Sequence, residues 1–175
     1  QLAQDFVEMA RMAETEFDGE DVLLADLVRE VADNYWPLAK ERSINIVLSD
    51  QSDFAFVLAE PDMLSRAIGN LIDNAIKFSP DGGAIELDIT QTANDVSVVI
   101  RDHGKGIDPA ILPRLFTRFA TDGNQKGRAK GTGLGLTFVD AVITRHNGRI
   151  EASNVAGAGA CFIVRLPKAP DETAL

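Results

Sequence analysis

The chain has 175 residues, 45% apolar and 25% charged, with fourteen glycines and seven prolines: one full globular domain or one domain with a short appendage, not two ordinary domains. Seventeen basic residues against twenty-seven acidic ones leave a net charge of −10, so the overall field repels nucleic acid and anionic membrane surfaces. The single Cys161 excludes an internal disulfide framework and any cysteine-cluster metal site, and favours a reducing compartment.

Residues 1 to about 16 predict the end of a helix, with Leu2, Phe6, Met9 and Ala13 on one stripe widened by Val7 and Met12. Such a stripe wants a partner helix in a coiled coil or bundle, the alternative being that it folds back on its own domain. Phe17 to Asp21 reads as a break. Residues 25–41 form a second amphipathic helix, with Leu27, Val28, Val31, Ala32, Tyr35 and Leu38 facing a core and Pro37 inside the pattern. Ile44 to Leu48 and Ala55 to Leu58 read as strands. Pro61 opens a long helix to about Phe78, with apolar positions Leu64, Ala67, Ile68, Leu71, Ile72, Ala75 and Ile76. Ser79-Pro80-Asp81-Gly82-Gly83 stops it.

Strands follow at Ala84–Thr90 and Val96–Arg101, then a glycine-rich loop from Asp102 to Gly106 and a short helical stretch to Phe119. Residues 120–131 are polar and glycine-rich, a loop with almost nothing to bury. Helix returns at about 133–146, ended by Asn147-Gly148, and strands at Gly148–Ser153 and Cys161–Leu166 close the domain around a Gly157-x-Gly159 turn. The tail 168–175 is expected to fray. This order implies an α/β two-layer sandwich, a mixed β-sheet covered on one face by helices. No apolar run approaches membrane-spanning length and no basic-then-apolar leader precedes the domain. A start at Gln1 suggests a piece of a longer protein, and membrane attachment of that parent stays open.

Three segments carry chemistry. Asn70 and Asn74 lie four residues apart on one face of the long helix, beside a second such pair, Asp73 and Lys77. Buried asparagines want a ligand, and their side-chain oxygens suit Mg²⁺ beside phosphates; the bland alternative is a solvated helix face. Asp102, at a strand end before Gly104 and Gly106, is placed to accept hydrogen bonds from an exocyclic amine while the glycines let backbone approach a flat ring; a plain turn is the alternative. His103 reads as a spacer. The run GTGLGL at 131–136 starts a helix with open backbone N–H groups, an anion cradle without the end of a P-loop. Lys126, Arg128 and Lys130 against Asp122 make the preceding loop net +2 in an acidic chain, with Arg114 and Arg118 just upstream. Phe116 and Phe119 either anchor that loop or touch a base, or simply pack the core. Cys161 reads as structural and His146 as a cap on its helix's C-terminus.

The ordered set NLIDNAIKFS at 70–79, DHGKGI at 102–107, LFTRF at 115–119 and GTGLGL at 131–136, closed by RHNGRIEASNVAGAGACFIVRLP at 145–167, resembles the catalytic and ATP-binding domain of a bacterial two-component sensor histidine kinase. That superfamily also holds the gyrase, heat-shock chaperone and mismatch-repair ATPases. The resemblance covers about residues 24–167 and implies the Bergerat ATP-binding fold. It divides the chain into the end of a dimerisation and phosphoacceptor hairpin helix at 1–18, the catalytic domain at 19–168 and a tail at 169–175.

By that resemblance Asn74 binds Mg²⁺, Asn70 and Lys77 lie beside the phosphates, and Phe78 flanks the nucleotide. Asp102 accepts the adenine amino hydrogen, with Gly104, Gly106 and Ile107 shaping the base pocket. Phe116 and Phe119 form the F box and Arg118 is a candidate γ-phosphate contact. Residues 120–130 form the ATP lid, and Lys130, Gly131, Thr132, Gly133, Leu134, Gly135 and Leu136 line the phosphates. Hydrolysing relatives carry a glutamate where Asn70 stands, which argues against an efficient ATPase. Position 103 is histidine where asparagine is commoner, and Thr121 stands where many members have a second arginine. The activity implied is transfer of the ATP γ-phosphoryl to a histidine on a separate hairpin, absent here, since neither His103 nor His146 sits in such a segment. The alternatives are a nucleotide-binding pseudokinase scaffold and a serine-directed regulatory kinase of the same fold. Implied partners are ATP or ADP, the hairpin of the same kinase and a response regulator receiver domain. The resemblance places the domain in the cytoplasm, leaves an inner-membrane parent open, and implies a homodimeric full-length protein while leaving a monomer open for this chain.

Overall fold

A computed structural model describes residues 2–117 and 135–170. Helix α1 (Leu2–Glu14) leads into a short strand β1 (Glu20–Leu23), then α2 (Leu24–Glu41), β2 (Asn45–Gln51), β3 (Phe56–Ala59) and α3 (Pro61–Phe78). After these come β4 (Ala84–Gln91), β5 (Asp95–Arg101), one 3-10 turn at Leu112–Arg114, α4 (Gly135–Arg145), β6 (Arg149–Val155) and β7 (Ala158–Pro167). Five strands form one mixed sheet in the order β2-β4-β5-β7-β6, in which only β2 and β4 run parallel.

Alternation decides which face of that sheet is covered. Ile85, Leu87 and Ile89 of β4, Val96, Val98 and Ile100 of β5, and Phe162, Val164 and Leu166 of β7 are all buried. Glu86, Asp88 and Arg101 lie on the opposite face, where Arg101 pairs with both carboxylates. Helix α3 packs between α2 and α4 over the apolar face, and its whole predicted stripe, Leu64 to Ile76, is buried. The expected sandwich with helices on one face is therefore present. No helix among the described residues is long and apolar enough to cross a membrane.

Three readings of the sequence need correction. Glu20 and Asp21, read as part of a break, belong to β1, which pairs antiparallel with β3 in a separate two-stranded sheet. β3 thus finds its partner far upstream, not in β2. Leu38 does not face the core: it is 40% exposed, while Ala39, nearer the centre of the helical stripe, is fully buried. The helical stretch expected to run to Phe119 is, among the described residues, a single 3-10 turn.

The stripe of α1 divides. Met9 and Met12 pack against the core, so on that side the helix folds back on its own domain, while Phe6 and Val7 are 56% and 57% exposed. Charged groups fix the docking. Arg66 of α3 pairs with Asp5 at 2.8 Å and with Glu8. Arg145, at the end of α4, grips the Glu60 carboxylate through Nε at 2.7 Å and a terminal nitrogen at 2.9 Å. The same guanidinium donates to the carbonyls of Met12, Thr15 and Glu16, which close the C-terminal end of α1.

Candidate functional site

The site is built where the C-terminal half of α3 meets the loop after β5. Asn70, Asn74 and Phe78 recur every four residues, so they run down one face of α3 toward its end. Both asparagines are half-buried, and among the described residues neither side-chain amide has a hydrogen-bond partner. Lys77 is paired with Asp73 at 2.8 Å, the i,i+4 bridge that the spacing suggested. Asp73 also acts on Tyr35, whose phenol is pushed above its ordinary value first by burial and then by that carboxylate. Gly69 lets this happen, because a Cβ there would stand 3.0 Å from the Tyr35 ring.

The end of α3 is pinned by Arg42, whose guanidinium donates to the Ser79 carbonyl at 2.7 Å and to the Ile76 carbonyl. Those are last-turn carbonyls that the helix itself leaves without partners. Next to them the Phe78 carbonyl lies against Gly104, where a Cβ would come within 2.1 Å of the oxygen. Only glycine fits this approach, and it brings the two sequence segments together.

Asp102 stands at the centre of that junction and is 5% exposed. Its N–H donates to the Ala160 carbonyl at 3.0 Å, continuing the β5–β7 ladder by one residue. Its Oδ1 accepts from Gly104 N–H at 2.9 Å and from Ala160 N–H at 3.1 Å. A Cβ on Gly159 would fall 2.0 Å from that oxygen, so glycine is required there as well. Gly106 takes φ 79° beside Asn154, whose amide closes a two-way clamp. Ile107 N–H donates to Asn154 Oδ1 and Asn154 Nδ2 donates to the Ile107 carbonyl, both at 2.7 Å.

The remaining expectations sort cleanly. Ile107, Phe116 and Leu136 are partly buried against the core, and Phe116 meets Phe162 edge-on with ring centroids 6.5 Å apart. Phe78 is 42% exposed. Gly135 opens α4. His103 sits 3.3 Å from Glu86 on the outer side of the sheet, as a spacer would. His146 caps α4: Nδ1 lies 2.7 Å from the Val142 carbonyl, and Nε2 accepts the Glu60 N–H at 3.0 Å. Arg118, Phe119, Lys130, Gly131, Thr132, Gly133 and Leu134 lie outside the described residues.

Two residues of the site, Asn154 and Ser79, were given no role by sequence reasoning, and Gly159 was read only as a turn glycine. Asn154 and Gly159 come from β6 and β7, and their roles depend on contacts with residues about fifty positions away. Ser79 is fully buried at the foot of α3, and its hydroxyl has no hydrogen-bond partner among the described residues. A polar atom buried without a partner costs free energy on the order of 1–3 kcal/mol, so its position beside Gly104 and Phe78 marks it as part of the site. The available signal was its place directly after Phe78.

Comparison with known proteins agrees with this geometry. Residues 59–170 match the family described as histidine kinase-, DNA gyrase B- and HSP90-like ATPase. The chain is 32% identical over 170 residues to the sensor protein KdpD of Clostridium acetobutylicum, covering 95% of this chain and 19% of that protein. It is 34% identical over 146 residues to the sensor histidine kinase CusS of Escherichia coli O157:H7, covering 83% of this chain and 30% of that one. Among solved structures, full-length ShkA in complex with AMPPNP superposes with a TM-score of 0.84 and 27% identity, over 99% of this chain and 36% of that chain. The mycobacterial sensor histidine kinase MprB superposes with a TM-score of 0.74 and 26% identity, over 88% of this chain and 100% of that chain. The chain thus spans only a minor part of the curated relatives it matches.

Proposed function

The chain belongs to the histidine kinase-, DNA gyrase B- and HSP90-like ATPase family, as an ATP-binding domain of the sensor histidine kinase type, and we propose that it presents Mg·ATP for transfer of the γ-phosphoryl to a histidine on a helical hairpin outside this sequence. On this reading residues 1–18 end that hairpin, 19–168 form the catalytic domain and 169–175 the tail. The receiving partner after the histidine is a response regulator, and the full protein is a dimer.

The observation that carries the proposal is the Asp102 corner. Two backbone N–H groups hold one carboxylate oxygen in place, and two glycines keep the surrounding space open to within backbone contact. That is a carboxylate held ready before ligand arrives, and the adenine amino group is the donor it suits. Gly104, Gly106 and Ile107 shape the base pocket, Phe78 covers the ring, and the Ser79 hydroxyl supplies a further polar contact at the base. Asn74 is the proposed Mg²⁺ ligand, with Asn70 one turn earlier beside the phosphates. Two half-buried amides without partners among the described residues fit a hard cation that keeps most of its waters. The chemistry magnesium supplies when bound is charge screening of the phosphates. Lys77 reaches the phosphates by leaving Asp73, an exchange that costs little because an exposed i,i+4 pair contributes only about 0.3–0.5 kcal/mol. Arg118, Phe119 and Lys130 to Leu136 are proposed to complete the phosphate side. Catalysis is then chiefly positioning.

Calorimetric titration with ADP and a nonhydrolysable ATP analogue, with and without Mg²⁺, tests the site on the wild type and Asp102→Ala. Saturable binding lost in the variant supports the base pocket, and no binding by folded wild-type protein overturns it. Phosphotransfer to an added histidine hairpin then separates a kinase from a nucleotide-binding scaffold.

A further inference from the structure

The small sheet has the wrong outer face for a solvated surface. From 54 to 59 exposed and buried residues alternate: Ala55, Val57 and Ala59 point into the core, while Phe54, Phe56 and Leu58 are 76%, 45% and 50% exposed. The register places half-buried Leu23 opposite Phe56 and Asp21 opposite Leu58, so these four side chains share the outer face of the β1–β3 pair. Phe54 is held outward by its backbone. It and Asp53 both take the left-handed conformation, with φ 58° and 47°, which bulky residues rarely adopt. Isolated exposed apolar residues are ordinary, but Phe56 and Leu58 on one sheet face, with Phe54 just before the strand, make a patch that marks a contact site.

Carboxylates also stand beside the patch: Asp21 lies opposite Leu58 and Asp53 directly precedes Phe54. No lysine or arginine occurs between Arg11 and Arg29 or between Arg42 and Arg66, and those two stretches carry Glu14, Glu16, Asp18, Glu20, Asp21, Asp26, Asp50, Asp53, Glu60 and Asp62. Arg29 answers Asp26 and Asp50, and Arg145 answers Glu60. Among the described residues Asp18, Glu20, Asp21 and Asp53 have no ion-pair partner.

We propose that the outer face of the β1–β3 sheet docks an amphipathic helix of a separate partner protein, with large aliphatic side chains on its contact face and lysine or arginine along its borders. Three features favour this occupant. Strand β3 is flanked on both edges, by β1 and by residues 168–169, which bridge Val57 and bond the Phe56 carbonyl, so an added strand cannot pair with it. A sheet face with apolar residues is ordinarily buried by a helix layer, and the inner face of this sheet already rests on the core. Unpaired carboxylates beside an apolar centre, Asp21 and Asp53, speed encounter with a basic partner that arrives by diffusion.

The test uses this chain and a synthetic helical peptide with a leucine face bordered by lysines, followed by fluorescence anisotropy. The wild type is expected to bind it saturably, with affinity falling as salt rises. Phe54→Ser/Phe56→Ser and Asp21→Asn/Asp53→Asn are each expected to weaken binding about tenfold or more, without change in thermal midpoint or ADP binding. Equal affinity for all three proteins overturns the proposal, as does equal affinity for a peptide whose lysines are replaced by glutamate. Self-association of the wild type in sedimentation, abolished by Phe54→Ser/Phe56→Ser, also overturns it and assigns the face to a second copy.

Discussion

The two ends of α3 are held differently. At its start, Glu60 and Arg66 are tied to α1 and α4 by long charged side chains, in the Arg145–Glu60 and Arg66–Asp5 pairs. At its end, the Phe78 carbonyl meets the backbone of Gly104, and Arg42 holds the last carbonyls. A guanidinium serves both ends, but only the second adds backbone packed directly on glycine, which leaves no slack. The first end fixes how elements sit together; the second fixes where Asp102 stands. Stability and nucleotide affinity should therefore be separable by substitutions at opposite ends of one helix.

The largest expected effect is at the glycine end. Gly104→Ala pushes a Cβ to within 2.1 Å of the Phe78 oxygen, so the Asp102 loop must move. Nucleotide affinity should fall by about 100-fold or more, about 3 kcal/mol, with a lowered melting temperature. Asp102→Asn is the milder change at the same end, since an amide keeps one oxygen as acceptor but turns a donor toward the adenine amine. It should lose comparable affinity with little loss of fold, read by calorimetry beside urea unfolding.

At the charged end the pattern reverses. Arg145→Ala leaves the Glu60 carboxylate with only the Asp18 N–H and removes the Arg145 bonds to the carbonyls of Met12, Thr15 and Glu16, and should cost about 3 kcal/mol of stability in urea. Its nucleotide affinity should stay within about twofold of wild type. A large affinity loss would show that the charged end also shapes the nucleotide site. A smaller effect belongs to Asn74→Ala, expected to leave ADP binding without metal intact and to remove about tenfold of the gain from Mg²⁺ in the same titration.

What the sequence disclosed follows the same division. Helix α3 was legible from Pro61 to Phe78 because its start, stripe and stop are local signals, and so were the asparagine face and Asp102. β1 was not, since four residues with two acids at their head carry no alternation, and only pairing with β3 makes them a strand. Leu38 was misplaced because it lies at the edge of the α2 stripe, where a single position decides burial. The Asn154 clamp and the Arg145–Glu60 pair join residues 47 and 85 positions apart. Local pattern holds no trace of such a contact. Asn154 reads as a strand residue before a turn, and Arg145 as an ordinary cation in the last turn of a helix.

Acid should loosen the charged end before it touches the glycine end. His146 is buried under Phe17, with Nδ1 on the Val142 carbonyl and Nε2 accepting from Glu60 N–H, an arrangement only neutral imidazole can make. Burial holds its pKa below the ordinary value; the Val142 carbonyl and the Glu60 carboxylate oppose that shift, and Arg145 adds to it. As pH falls below about 6.5, the unfolded chain takes up this proton first, so stability declines by up to about 1.4 kcal/mol per pH unit until the folded group also titrates. Glu60 acts later with the same sign. Its hydrogen bonds to Arg145 hold its carboxyl below the ordinary carboxylate value, so its contribution is lost only as pH falls below about 4.5. Asp140 is shifted up by burial and works in the opposite direction in that lower range, which makes pH 6.5 to 5 the informative window. Urea unfolding across that window should give a slope in the wild type that His146→Gln flattens, since glutamine keeps a donor and an acceptor without a titrating ring. A slope unchanged in the variant would place the acid sensitivity elsewhere and remove His146 from the clasp.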